Sequence, residues 1–243
     1  MKSYLSSLII GISIVTTAFI FANTYNNRND NKKSISVTGL GSKSFVSDLI
    51  VWSGSFGKKN MNLQKAYALL DNDQEVIQNY MLSKGLTNIN MIFSAVDISK
   101  EFKNTYDDEG NYAGQVFTGY RLTQSVQIES NDVELVESIS REISELINKG
   151  IEFNSQNPRY YYTKLAELKL EMIAEATKDA NSRAKNIAIN AESEIGDLKH
   201  AKMGVFQIVA QNSSESYSWG GAFNTTSKRK TASITMKLEY ELE

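Results

Sequence analysis

A chain of 243 residues, 41% apolar and 22% charged, has an ordinary globular composition and is long enough for one large domain or two small ones. Its formal net charge of −2 argues against a general nucleic-acid binder, which carries a basic excess. The lack of cysteine excludes disulfide frameworks, thiolate metal sites and thiol catalysis, and the single histidine, His200, removes most zinc, multi-histidine and Ser-His-Asp chemistry. No cofactor is implied.

The chain opens on an uncharged stretch, LSSLIIGISIVTTAFIFA from Leu5 to Ala22. At helical rise it covers roughly 27 Å, close to a hydrocarbon core. Residues 1–22 therefore read as a membrane anchor or a signal segment; Ala18 with Thr16, or Ala22 with Ile20, make only weak cleavage sites. Residues 23–33 are almost wholly polar, the composition of a flexible tether. Lys2 precedes the apolar stretch while Arg28, Lys32 and Lys33 follow it, so the positive-inside rule sets no orientation. On the export reading the folded part lies outside the cytoplasm, anchored at the membrane or released from it by cleavage.

From Ser34 the pattern switches between period two and period 3.6. Ile35 and Val37 start a strand that Gly39 and Gly41 are expected to break, and a second strand runs from Phe45 to Phe56. Leu63, Ala66, Tyr67, Leu70, Ile77 and Met81 recur at helical spacing up to Gly85, placed for a left-handed cap. Strands near 89–102 and 116–128 enclose NTYDDEGNYAG, a hairpin tip rich in turn formers. A second helix is predicted from Asn131, with Glu134 closing a capping box and Gly150 ending it. A strand over 151–162 is interrupted near Pro158. A third helix, 164–191, carries alanines at 176, 180, 184 and 188, a thin stripe suited to close packing on a sheet. Strands near 201–210 and 231–242 end the chain.

The fold class is α+β. Elements between 45 and 162 follow the order of a ferredoxin-like β-α-β-β-α-β unit, which would be inserted between 34–44 and 163–243. The flanking pieces, an N-terminal strand, a long helix and a C-terminal hairpin, would form a second module. Helix plus hairpin also occurs twice, at 60–129 and 164–242, so a diverged duplication is a competing description.

Catalytic fingerprints are weak throughout. Gly39-Leu40-Gly41 lacks the third glycine and the helix of a dinucleotide loop, so a turn is the better reading. Ser-x-x-Lys at Ser55/Lys58, Ser182/Lys185 and Ser227/Lys230 has none of the companion motifs of acyl-enzymes. Asp107, Asp108 and Glu109 lack calcium-loop spacing and suit a solvated hairpin tip. Acids elsewhere lie mainly beside lysines on helix faces.

Aromatic residues are more informative. Tyr160 and Tyr162 share one face of a strand and Tyr161 takes the other, either for packing or for a subunit interface. The polar stretch SSESYSWGGAFNTTS carries Tyr217, Trp219 and Phe223, and long loops with embedded aromatics are often functional. Beside it, Lys228-Arg229-Lys230 is either a solvated strand start or a contact for anionic headgroups.

Three stretches carry a family likeness: ISVTGLGS with Asp48 and Trp52 following; EATKDANSRAKNIAINAESEIGDL running into KHAKMGVFQIV; and ASITMKLEYEL. On these, residues 34–243 resemble the SIMPL domain family, which includes bacterial periplasmic immunogenic proteins and oxidative-stress defence proteins. The resemblance implies export, an envelope-associated role sometimes linked to oxidative stress, and self-assembly; it supplies no catalytic residue. The expectation is a non-enzymatic, membrane-tethered protein that forms a homo-oligomer, with Tyr160, Tyr162, Tyr217, Trp219 and Phe223 as candidate interaction surface. The alternative is a binding module acting through loop 213–227.

Overall fold

The computed structural model describes residues 2–29, 34–216 and 218–242; within the first stretch, side chains are described for 10–22 and 24. In chain order the elements are α1 (Lys2–Asn29), β1 (Ser34–Val46), β2 (Leu49–Asn60), α2 (Leu63–Ser83), β3 (Met91–Phe93), β4 (Asp97–Tyr106), β5 (Tyr112–Ser130), α3 (Val133–Glu142), β6 (Phe153–Ser155), β7 (Arg159–Tyr161), α4 (Leu165–Asn190), β8 (Ile195–Met203), β9 (Gln207–Ala210) and β10 (Arg229–Leu242). The fold is α+β, with two sheets. The chain divides into two compact units, one of residues 1–42, 170–205 and 233–243, the other of 43–169 and 206–232.

In the second unit β2 pairs antiparallel with β5 along its whole length, from Ile50 opposite Ser130 to Asn60 opposite Tyr120. On its other side β2 takes β6 and then β7, while β3 and β4 lie in succession along the far side of β5. The spatial order is thus fourth, first, third, second, that of a split βαβ unit. Ile50, Trp52 and Phe56 of β2 and Leu122, Val126 and Ile128 of β5 turn to one face, where they form a single core with Leu70, Ile77 and Met81 of α2 and Val136 and Ile139 of α3. Trp52 is wholly buried, its Nε1 donating to Ser155 Oγ at 3.0 Å and its ring 5.9 Å from Phe153.

Local signals place the helices. Asn62 accepts the backbone N–H of Lys65 to start α2, and Gly85, at φ +103°, ends it with Leu86 N–H returning to the Met81 carbonyl. The cap of α3 is Asp132, which accepts Leu135 N–H at 3.0 Å, and not Asn131, whose amide reaches the Asp48 carbonyl instead. Asp48 in turn accepts both the N–H and the hydroxyl of Thr163, each at 2.7 Å, just before α4. Pro158 falls in the gap between β6 and β7, where no ladder hydrogen bond is needed.

The first unit holds most of β1, β10 and β8, in that order, with β8 and β10 antiparallel; β9 and the first residues of β10 belong to the second unit. Here the glycine pair is corrected. It makes no turn: β1 runs through both glycines to Val46. A Cβ on Gly39 would lie 2.1 Å from the Ala176 carbonyl oxygen, and one on Gly41 2.3 Å from that of Met172, so bare backbone is what lets α4 approach. The facing alanines 176, 180, 184 and 188 are fully buried. Leu40 N–H, between the glycines, donates to Asp179 at 2.8 Å.

Other boundaries also differ from expectation: the strand expected from Phe45 starts at Leu49, and the one expected over 89–102 is two, β3 and β4. The predicted strand over 201–210 is two strands, β8 and β9, parted at 204–206, where Gly204 N–H bonds the Thr235 carbonyl. At the N-terminus the helix continues through the polar stretch to Asn29, since propagating a formed helix needs no new nucleus; 30–33 of the expected tether lie outside the described residues. Among the described residues no helix is long and apolar enough to cross a membrane; the side chains of 1–9, part of the expected anchor, lie outside them.

Candidate functional site

The loop between β9 and β10 is built from inside outward. Gln207 at its root is buried, and its amide reaches across the loop: Nε2 donates to the Ser218 carbonyl at 2.7 Å, and Oε1 accepts the N–H groups of Ala222 at 2.6 Å and Ser218 at 3.3 Å. One buried glutamine thus satisfies three backbone groups on the two arms of the loop. Glu215 does the same nearer the surface, accepting Ala210 N–H at 2.9 Å and the Asn224 amide at 2.6 Å. Ile208 and Phe223 bridge, with Ile208 N–H on the Ala222 carbonyl and Asn224 N–H on the Ile208 carbonyl.

This scaffold presents Trp219. Gly221 N–H returns to the Ser218 carbonyl at 3.1 Å, closing a turn in which Gly221 has φ +97°. Trp219 sits on that turn with 100% of its surface exposed. A tryptophan left wholly in water forfeits several kcal/mol that burial would return. Phe223, 52% exposed, is the second aromatic of the loop; Tyr217 lies outside the described residues.

The tyrosine strand has a different fate. Tyr160 is only 8% exposed and belongs to the core of its unit. Its hydroxyl donates to Glu137 at 2.9 Å, its N–H to the Thr225 carbonyl at 2.8 Å. Burial and the Glu137 carboxylate push the Tyr160 phenol up to about 12. Tyr160 is therefore removed from the candidate contact surface. Tyr162 is half-buried, its ring 4.7 Å from that of Phe45.

The basic run is likewise spent inside the unit. Lys228 pairs with Glu134 and with Glu137, the latter at 3.2 Å, and hydrogen bonding to Glu134 raises its pKa. Burial alone would raise the Glu137 carboxyl, but hydrogen bonds from Tyr160 and Lys228, with Arg141 at 3.2 Å, hold it below the usual range. Lys230 is buried, its Nζ donating to the Tyr160 carbonyl and lying 6.0 Å from the centre of the Phe223 ring. Burial lowers its pKa to about 8. Only Arg229 of the three faces solvent, so the run makes no cationic patch for headgroups.

Other residues singled out by sequence resolve as architecture. Asp107 accepts the N–H groups of Glu109 and Asn111 and organises the hairpin tip. His200 is exposed on β8, opposite Glu239 of β10. A polar trough of about 690 Å³ opens among Ser53, Gln127, Gln156, Arg159, Tyr161 and Thr226. Sequence reasoning missed two features: the pinning role of Gln207, and an aromatic face on the β4–β5 ribbon. The ribbon was signalled by Ile98, Phe102 and Tyr106 recurring every fourth residue, all on one face of a strand.

The family whose description reads "SIMPL: Protein of unknown function (DUF541)" matches residues 35–240. No curated protein matches the chain.

Proposed function

The chain belongs to the SIMPL family, and from that premise we propose that it is a non-enzymatic interaction protein of the cell envelope, self-assembling and held on the periplasmic side of the inner membrane by its N-terminal helix. The observation that carries the contact role is Trp219, fully exposed on a turn that a buried glutamine fixes in place. A pre-ordered loop with a tryptophan at its tip is the usual anatomy of a binding hot spot, because little ordering entropy is left to lose on contact. Elsewhere in the unit Tyr160, Glu137 and Lys228, whose pKa values are displaced, are tied to one another and Lys230 is sealed from solvent, which suits holding rather than turnover. Tethering is supported by the uncharged stretch Leu5–Ala22 and by the exposure of Ile10, Ile12, Ile14, Val15, Phe19, Ile20 and Phe21 on α1. Any link to oxidative stress is indirect in this reading, since the chain has no thiol.

A photo-crosslinking amino acid at position 219 tests the contact in cells, with the same probe at Asp71, exposed on α2, as control. The proposal expects a discrete adduct from 219 that 71 does not give; identical patterns would sink it. Fractionation tests the tether separately. The full chain is expected in the membrane pellet and a chain lacking 1–22 in the supernatant, and pelleting of both would remove α1 from this role.

A further inference from the structure

The long ribbon of β4 and β5 carries an unsatisfied strand edge. β4 pairs with β5 over ten residues, and among the described residues no strand lies on its other side. Natural edges are commonly blunted by charged side chains, by proline, by a bulge or by shortness. β4 carries charges, in Lys100, Glu101 and Lys103, but Asp97–Tyr106 contains no proline, and both irregularities of the pairing place the extra residue on β5, between Gly119 and Phe117 and between Gly114 and Tyr112. The free edge is therefore regular along its length.

The ribbon is also two-faced. Ile98, Phe102 and Tyr106 share one face of β4, with Lys100 and Asn104 between them, and Leu122, Phe117 and Tyr112 stand opposite the three on β5. Phe102 meets Phe117 with ring centroids 5.7 Å apart, and Tyr106 meets Tyr112 at 6.3 Å. Yet Ile98 and Phe102 remain 53% exposed, Tyr106 61% and Tyr112 60%. The other face of β4 carries Ser99, Glu101, Lys103 and Thr105.

We infer that the free edge of β4 pairs antiparallel with β4 of a second copy of this chain, about a two-fold axis through Phe102. The inference deepens the self-assembly part of the reading above by naming the surface and the register. An isologous contact needs a self-complementary strand, and β4 is one in this register. Phe102 faces Phe102, Ile98 faces Tyr106 twice, and Glu101 faces Lys103 twice, Glu101 being held in its own chain by Lys59 and Arg121. A one-residue slip sets the aromatic face of one copy against the polar face of the other. The next registers in phase, centred on Glu101 or Lys103, oppose two like charges on the axis and set Phe102 against Lys100 or Asn104. Only the axis at Phe102 brings the three apolar side chains together. Strand pairing of this length lies at the small end of protein interfaces, so association is expected in the micromolar range or above.

Because the chain has no native cysteine, single cysteines report the register directly. Cross-strand Cβ atoms lie roughly 4.5–5.5 Å apart, within reach of a disulfide after slight adjustment. In the full chain in mild detergent, Phe102→Cys is expected to oxidise to a covalent dimer at least tenfold faster than Asp108→Cys at the hairpin tip. Lys100→Cys and Asn104→Cys are each expected to form no covalent dimer alone and to cross-link when mixed. Light scattering on the unmodified chain separates this inference from the broader reading. An oligomer whose Phe102→Cys variant cross-links no faster than the tip control would overturn the β4 interface and leave self-assembly standing. A monomer at all concentrations, without cross-linking, would overturn both.

Discussion

The two halves of β5 obey the same alternation and meet opposite surroundings. Between 122 and 128 every second residue, Leu122, Gln124, Val126 and Ile128, is buried beneath α2 and α3. Between 112 and 120 the strand still sorts its aromatics to one side, and there Tyr112 is 60% exposed while Phe117 and Tyr120 are only half-buried. Alternation in a sequence states which face of a strand is apolar. Coverage of that face is decided elsewhere, by helices that end before the ribbon does.

The largest expected effect tests the covered half. Trp52→Ala should cost about 3–5 kcal/mol in denaturant unfolding, because it opens a cavity among Phe153, α2 and α3 and frees the Ser155 hydroxyl. Phe102→Ala, on the uncovered half, should cost about 1 kcal/mol or less. Equal costs for the two would mean that the ribbon is as well packed as the core, and the comparison would fail.

At the junction of the halves stands Gly119, opposite Glu101 and beside the extra residue Thr118. It has φ +132°, and a Cβ there would lie 2.9 Å from the Asn60 carbonyl oxygen. Gly119→Ala is expected to cost about 1–3 kcal/mol through backbone strain. A neutral result would show that the strand can turn from covered to uncovered without this conformation.

A buried charge sharpens the same contrast. Lys230 is held at a pKa of about 8 against an ordinary 10.5, so between those values the unfolded chain binds more protons than the folded one. Stability therefore rises with pH through this window, and below pH 8 the full cost of burying the cation is present. Lys230→Met should be more stable than the parent by about 2 kcal/mol at pH 7, the gap narrowing as pH approaches 10. Chemical denaturation at pH 7, 8.5 and 10 measures it; a gap that does not change with pH would refute the burial argument.

Much of the architecture was legible because it is local. Periods of two and 3.6, the cap at Gly85, the break at Pro158 and the alanine stripe of α4 are set by near neighbours in sequence, and they appear where the pattern puts them. Gly39 and Gly41 were misread because the reason for them, α4, lies some 130 residues further on. The tyrosine strand and the aromatic loop could not be told apart either. Tyr160 is claimed by Glu137 and Lys230, partners on distant elements, whereas Trp219 has its loop folded beneath it by Gln207 and meets nothing.

That difference sets the smallest effect on stability, and the most informative. Trp219→Ala removes a side chain that touches no core, so the unfolding free energy is expected to move by no more than about 0.5 kcal/mol. Tyr160→Phe keeps the ring but leaves Glu137 without its hydroxyl donor, and is expected to cost about 1 kcal/mol. Both are read from the same denaturation curves. If Trp219→Ala destabilised the protein more than Tyr160→Phe, the tryptophan would have a structural partner in its own chain, and the loop would lose its standing as a contact surface. If the order holds, the exposed indole contributes nothing to folding, which is the condition that a contact role requires of it.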